Sequence, residues 1–176
     1  MAGPARSMRD SASIDSVHVP PHSVEAEQAV LGALMLDNVA WDAVADMLSA
    51  NDFYRPDHRL LFEAIAEVAG RNQPCDAVTL SDYLERKGKL EEAGGLAYLG
   101  TLARDTASAA NVRAYAQLVR ERSVLRQLIS VGNAIAGSAF NSDGREAREL
   151  VDDAERRVFE IAERGTRGRM GAVAIG

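Results

Sequence analysis

His18 and His22 stand four residues apart, the spacing at which two imidazoles on one helical face share a metal ion. Val19-Pro20-Pro21 between them forbids that helix, and no cysteine or carboxylate close by supplies a third ligand. His58 falls in Asp57-His58-Arg59 at a helix start and reads as a surface or capping contact; a general base would need a nucleophile to serve, and none is at hand. Cys75 follows Pro74 in a loop with no histidine nearby in sequence and reads as a structural thiol. Gly88-Lys89 is the one Gly-Lys step, and Tyr83 stands where a phosphate-cradling P-loop would need its first glycine. Arg120, Arg122 and Arg126 cluster on one stretch and read as a solvated face that pairs with Glu121 and with acids of the last helix. No catalytic set, metal or cofactor site is expected from these residues.

Charge narrows the partners. Of 176 residues, 47% are apolar and 26% charged, which is ordinary for a folded domain. Residues 23–107 carry fifteen acids and seven bases, net −8, whereas residues 164–176 carry three arginines and no acid. A body of that sign repels a phosphate backbone, so direct nucleic-acid binding is disfavoured and only the short basic tail suits it. Nine aromatic residues form no basic-aromatic stretch on which bases could stack. The single cysteine excludes an intrachain disulfide framework and points to a reducing compartment. No apolar run approaches the length of a membrane span, and Arg6 and Arg9 precede no apolar stretch of the kind a secretory signal needs.

The elements that would position these side chains are helices throughout. Residues 1–22, rich in Ser, Pro and Ala, are expected to be a disordered arm. Ser23 is expected to cap a helix to about Leu36, with Glu25 and Glu27 at its positive end. A second helix should run to about Leu48, followed by a loop that tucks Phe53 and Tyr54 under the domain. A third should run from near Asp57 to Ala69 and stop at Gly70. Thr79-Leu80-Ser81-Asp82 resembles a capping-box start, Gly88 a helix end, and Gly94-Gly95 a turn into a helix bearing Leu96, Leu99 and Leu102. Ser108 is expected to cap a long helix from Ala109 to about Phe140. A last helix should cover about Arg145 to Arg164, with Ala147, Val151, Ala154, Val158 and Ile161 at alternating steps of four and three, the seam of a coiled coil. Gly165, Gly168 and Gly171 read as a flexible linker, and Ala172 to Ile175 as a truncated element start.

The fold expected is therefore all-α: a small globular helical bundle over 23–107, then a long antiparallel helical hairpin over 108–164, with 165–176 as the start of a linker. The long helix carries two apolar faces, one with Leu118, Leu125 and Ile129, the other with Val124, Leu128, Val131 and Ile135. Two apolar faces need two partners. One closes the hairpin, and the other is most simply met by a second copy, through Leu125, Ile129, Val151, Val158 and Ile161.

Stretches along most of the chain resemble, in order and spacing, the N-terminal domain of DnaB-type bacterial replicative helicases. They are Pro20-Pro21-His22-Ser23-Val24-Glu25-Ala26-Glu27-Gln28-Ala29-Val30-Leu31-Gly32, Asp52-Phe53-Tyr54-Arg55 with His58, Asp76-Ala77-Val78-Thr79-Leu80, Gly94-Gly95-Leu96-Ala97-Tyr98-Leu99, the long-helix segments Ala109 to Val112 and Leu125 to Ile129, and Asp153-Ala154-Glu155 with Phe159-Glu160-Ile161. Ala107 departs from the proline that this family often has before the long helix. The resemblance implies a cytoplasmic bacterial protein whose helical domains pair through their hairpins and form a collar, three pairs to a hexamer, on which primase docks. By the same resemblance the ATP- and magnesium-dependent motor lies in a further domain, DNA is engaged only by the full ring, and this stretch neither hydrolyses ATP nor unwinds DNA. Docking residues carried over from the family fall on Glu25, Tyr98, Ile129 and Ile135. A helicase loader and phage proteins are further candidates for the same collar. The alternative function is a module that guides single-stranded DNA.

Overall fold

Ser23 adopts an extended conformation and its hydroxyl accepts from the Ala26 amide, which opens helix α1 at Val24–Leu36. The computed structural model describes residues 18–173, the last eight as backbone alone; the expectation for residues 1–17 lies outside the described residues. Every regular element described is helical. After α1 come α2 (Val39–Val44), a 3-10 turn (Ala50–Asp52), α3 (Pro56–Gly70), α4 (Ala77–Arg86), α5 (Gly95–Asp105), α6 (Val112–Phe140) and α7 (Ala147–Val173). Helix α1 is buried on almost every side, as a helix apolar around most of its circumference must be. It packs against α5 and α6 and also touches α2 and α3, while α4 sits on α3 and α5.

Several boundaries differ from expectation, each for a local reason. Gly70 stays inside α3, and the chain reverses at Asn72, whose φ of 56° is the left-handed conformation an asparagine tolerates. Helix α4 begins two residues before Thr79, because Asp76 accepts from the Thr79 amide at 2.9 Å and from its hydroxyl at 2.8 Å. Thr79 is thus the third helical residue rather than the cap. Ser108 caps only a turn, accepting from the Ala110 amide, and α6 starts at Val112. Helix α2 ends at Val44 and continues to Met47 as turns. Helix α7 runs to Val173 through Gly165, Gly168 and Gly171, where the glycine spacing predicts a flexible segment.

The core is continuous from α1 into the first turns of α6. Val30, Leu31, Leu34, Val44, Phe53, Leu61, Ile65, Leu80 and Leu99 are fully or almost fully enclosed, and Val112, Ala116 and Val119 of α6 complete them. With 29 residues, α6 is roughly 43 Å long. Its first half lies against the bundle, as far as buried Ser123 and the Arg126 contacts to Pro21 and Asp52. The rest projects and packs against α7, and the two are joined by a turn in which Asp143 and Gly144 adopt positive φ.

Candidate functional site

Helices α1, α3 and α5 meet at three polar side chains. Glu27 and His58 are enclosed, 2% and 0% exposed. His58 Nδ1 lies 2.8 Å from Glu27 Oε1, and His58 Nε2 lies 2.6 Å from the Tyr98 hydroxyl. The second Glu27 oxygen accepts from the Tyr54 amide at 2.9 Å. A carboxylate only accepts, so Nδ1 donates to Glu27; in the neutral ring Nε2 then carries the lone pair, and the Tyr98 hydroxyl donates to it. Gln28 Nε2 donates to the Tyr98 oxygen at 3.2 Å. Burial opposes ionisation of Glu27, yet the hydrogen bond from His58 and those from the Tyr54 and Arg55 amides outweigh it and hold its carboxyl below the usual range. His58 is therefore no surface contact, and Glu27 is committed to His58 as well as to the helix end.

Tyr98 directs its hydroxyl inward, and the Arg55 guanidinium lies 5.5 Å from its ring centre. Beside it a cavity of about 390 Å³ opens between α1, α5 and the start of α6. Glu25 and Tyr98, the two docking candidates on the globular part, line this one cavity together with Asp105 and Tyr115. Ile129 and Ile135 do not line it; both lie on the projecting half of α6.

A second polar cluster sits where the hairpin leaves the bundle. Asp52, 3% exposed, accepts from Arg120 at 2.9 Å and from the Ser123 hydroxyl at 2.7 Å. Arg126 donates to the carbonyls of Pro21 and Asp52, both at 2.7 Å, and its guanidinium lies over the Tyr54 ring. His22 stacks on Tyr54 with ring centres 4.2 Å apart. Two of the three arginines read as a solvated face are thus bolts between α6, the 3-10 turn and the segment before α1.

The hairpin leaves much apolar surface open. Leu125, Ile129, Val151 and Val158 are 38%, 49%, 56% and 46% exposed, whereas Ile161 is buried at 7% and Ile135 is half-buried. Phe159 and, at the hairpin tip, Phe140 are exposed as well. Among the described residues no group of three or more His, Cys, Asp or Glu could hold a metal, and no helix is long and apolar enough to cross a membrane. Cys75 is enclosed, and burial, with Asp76 beside it, pushes its thiol pKa up.

The polar clusters tie the bundle to the hairpin, and the hairpin leaves apolar side chains open; fold and surface define an all-helical domain of a bundle and a projecting hairpin. A family model of the DnaB-like helicase N-terminal domain matches residues 19–121, and the chain belongs to that family. It is 47% identical over 150 residues to the replicative DNA helicase DnaB of Haemophilus influenzae, covering 85% of this chain and 32% of that protein. It is 42% identical over 153 residues to that of Pasteurella multocida, covering 87% and 33%. The chain thus spans about a third of the length of the curated relatives it matches. The crystal structure of the N-terminal domain of DnaB helicase from Mycobacterium tuberculosis superposes with a TM-score of 0.77 at 37% identity, covering 81% of this chain and 99% of that one. A DnaB-like replicative helicase, described with its interactions with primase, shares the fold with a TM-score of 0.65 at 24% identity, covering 79% of this chain and 31% of that one.

Proposed function

We propose that this domain assembles a hexameric replicative helicase through its hairpin and docks primase on the resulting collar. The observation that carries the reading is the apolar surface left open on α6 and α7. Leu125, Ile129, Val151 and Val158 recur at helical spacing on two packed helices, yet each remains more than a third exposed in the single chain. Burial of apolar surface is the main drive to association, and a patch of this kind marks an interaction site. Ile161 belongs to the closed seam of the hairpin and contributes to pairing only by holding α7 in place. Primase docking is supported by the relative described with its primase interactions and by the shared cavity of Glu25 and Tyr98. In this reading ATP and magnesium serve the motor of the parent protein, DNA is engaged by the whole ring in the cytoplasm, and a helicase loader or phage protein competes for the same collar.

Light scattering across concentration tests assembly. The wild-type chain should be at least a dimer. Ile129→Glu and Val158→Glu should be monomers with unchanged helical circular dichroism, because both side chains lie at the surface of the single chain and a charge there costs burial only on pairing. A wild-type monomer at high micromolar concentration would sink the assembly reading. Titrating the helicase-binding domain of primase onto the same wild-type sample should give saturable binding, and its absence removes the docking half.

A further inference from the structure

Four residues of α6, Leu125, Ile129, Gly132 and Ala136, follow one another at steps of four, three and four and so share one stripe of the helix. All four are exposed in the single chain. The stripe is symmetric about the peptide bond between Ser130 and Val131, which lies midway between Leu125 and Ala136 and midway between Ile129 and Gly132. Each large residue therefore stands as far from that centre as a small one does on the other side. A copy of the helix running the opposite way across this centre sets Leu125 on Ala136 and Ile129 on Gly132, twice over, with equal volume in every layer. A copy running the same way sets Leu125 on Leu125 and Gly132 on Gly132, crowded at one end and hollow at the other.

Two further observations agree. Glycine weakens a helix interior, and nothing within the chain requires it at residue 132, where a Cβ would meet no atom within 4 Å. A close neighbour outside the chain would require it, as α5 does for Gly32 inside it. Arg122 lies one step before Leu125 on the same stripe, and Asp143 lies in the turn beyond its other end. Neither has an ion pair among the described residues. In the antiparallel register Arg122 faces Ala139 of the other copy, within roughly 6 Å along the axis of that copy's Asp143. Phe140, 93% exposed, then lies against the Arg122 side chain. A parallel register would face arginine with arginine and carboxylate with carboxylate.

We infer that the hairpin pairs with a second copy through an antiparallel α6–α6 seam centred between Ser130 and Val131. In it Gly132 and Ala136 receive Ile129 and Leu125 of the other copy, and Arg122 pairs with Asp143. The inference rests on the assembly reading above for the occurrence of pairing, and adds its direction, its register and the residues that permit close approach. Such a contact is isologous and closes on itself, so it stops at two chains and sets their bundles at opposite ends; a larger ring needs a second, different surface.

Spin labels on the full chain test it, one site at a time in a Cys75→Ala background, with the separation of the two copies read by pulsed electron resonance. Gln117, Ser130 and Asn141 are exposed positions on α6 and at its C-cap. In the antiparallel register the separation is shortest at Ser130 and grows to roughly 30 Å at Asn141 and roughly 40 Å at Gln117. A parallel pair gives short separations at all three. A second arm tests the close approach. Gly132→Ala should weaken pairing about tenfold by light scattering, with a melting temperature at high dilution no lower than that of the wild type. Gly137→Ala, equally open in the single chain but off the stripe, should leave pairing unchanged. Short separations at all three sites, a minimum away from Ser130, or equal effects of the two glycine substitutions overturn the inference, while a dimeric mass keeps the assembly reading. A monomeric wild type overturns both.

Discussion

Glu27, His58 and Ser123 are polar residues in apolar register. Glu27 precedes Val30, Leu31 and Leu34 by three, four and seven residues, so it lies on their inward stripe. His58 stands in the same relation to Leu61, Phe62 and Ile65, and Ser123 follows Val112, Ala116 and Val119 at helical steps. That register is the signal for burial, but the charged neighbours Asp57 and Arg59 give His58 the pattern of a surface or capping residue. The partners across helices were beyond reach, since Glu27 and His58 are 31 residues apart and only the packing of α1 on α3 joins them. Removing one member of such a pair leaves the other enclosed without compensation. Glu27→Ala strands the His58 Nδ1–H and the Tyr54 amide without an acceptor and should cost about 1–3 kcal/mol for each such group at neutral pH, measured by urea denaturation. The carboxyl of Glu27 is held below its unfolded value, so its contribution is complete above the ordinary glutamate range and is lost as pH falls through the folded value. The stability gap between wild type and Glu27→Gln should narrow as the solution is acidified through that range. A gap that stays constant with pH would show that Glu27 acts by shape alone.

At the scale of elements, helix identity was legible wherever apolar spacing ran for several turns, and boundaries failed where two capping patterns overlapped. Asp76 and Thr79 both suit a helix start, and the hydrogen bonds from Thr79 to Asp76 settle it. The order and type of the helices followed from periodicity, but their distances did not. Helices α1 and α5 approach so closely that a Cβ on Gly32 would fall inside the contact radius of the Thr106 hydroxyl and 2.5 Å from the Leu102 carbonyl. Glycine here is a packing requirement, not a matter of backbone conformation. Gly32→Ala gains helix propensity but forces the two helices apart, and should cost about 1–3 kcal/mol in thermal or urea melts. Removing the hydroxyl with Thr106→Ala in that background should restore only part of the loss, because the Leu102 carbonyl remains. Full recovery would mean that the side chain alone sets the spacing.

The whole molecule is organised by one helix that belongs to two bodies. The first turns of α6 complete the core through Val112, Ala116 and Val119, and its remainder forms the hairpin with α7. Asp52, Arg120 and Arg126 bolt the junction, so a load on the hairpin is passed to the bundle rather than absorbed by a loose joint. Two apolar faces on α6 were readable in the sequence, yet which residues close the hairpin and which stay open was not, because that depends on the rotation of α7 about its axis. Ile161 turned inward while Val151 and Val158 stayed out. If those open residues pair two chains, dimerisation and folding are linked by mass action, since the partner binds only the folded chain. The melting temperature of the wild-type chain should then rise with protein concentration. That of Val158→Glu should be flat, and at low concentration the two should converge, because the substituted side chain is exposed in the monomer and the core beneath is untouched. Scanning calorimetry over a wide concentration range reads both outcomes at once. A wild-type melting temperature independent of concentration would leave the apolar hairpin unused for self-association, while a variant that melts lower even at the highest dilution would show that Val158 supports the hairpin itself.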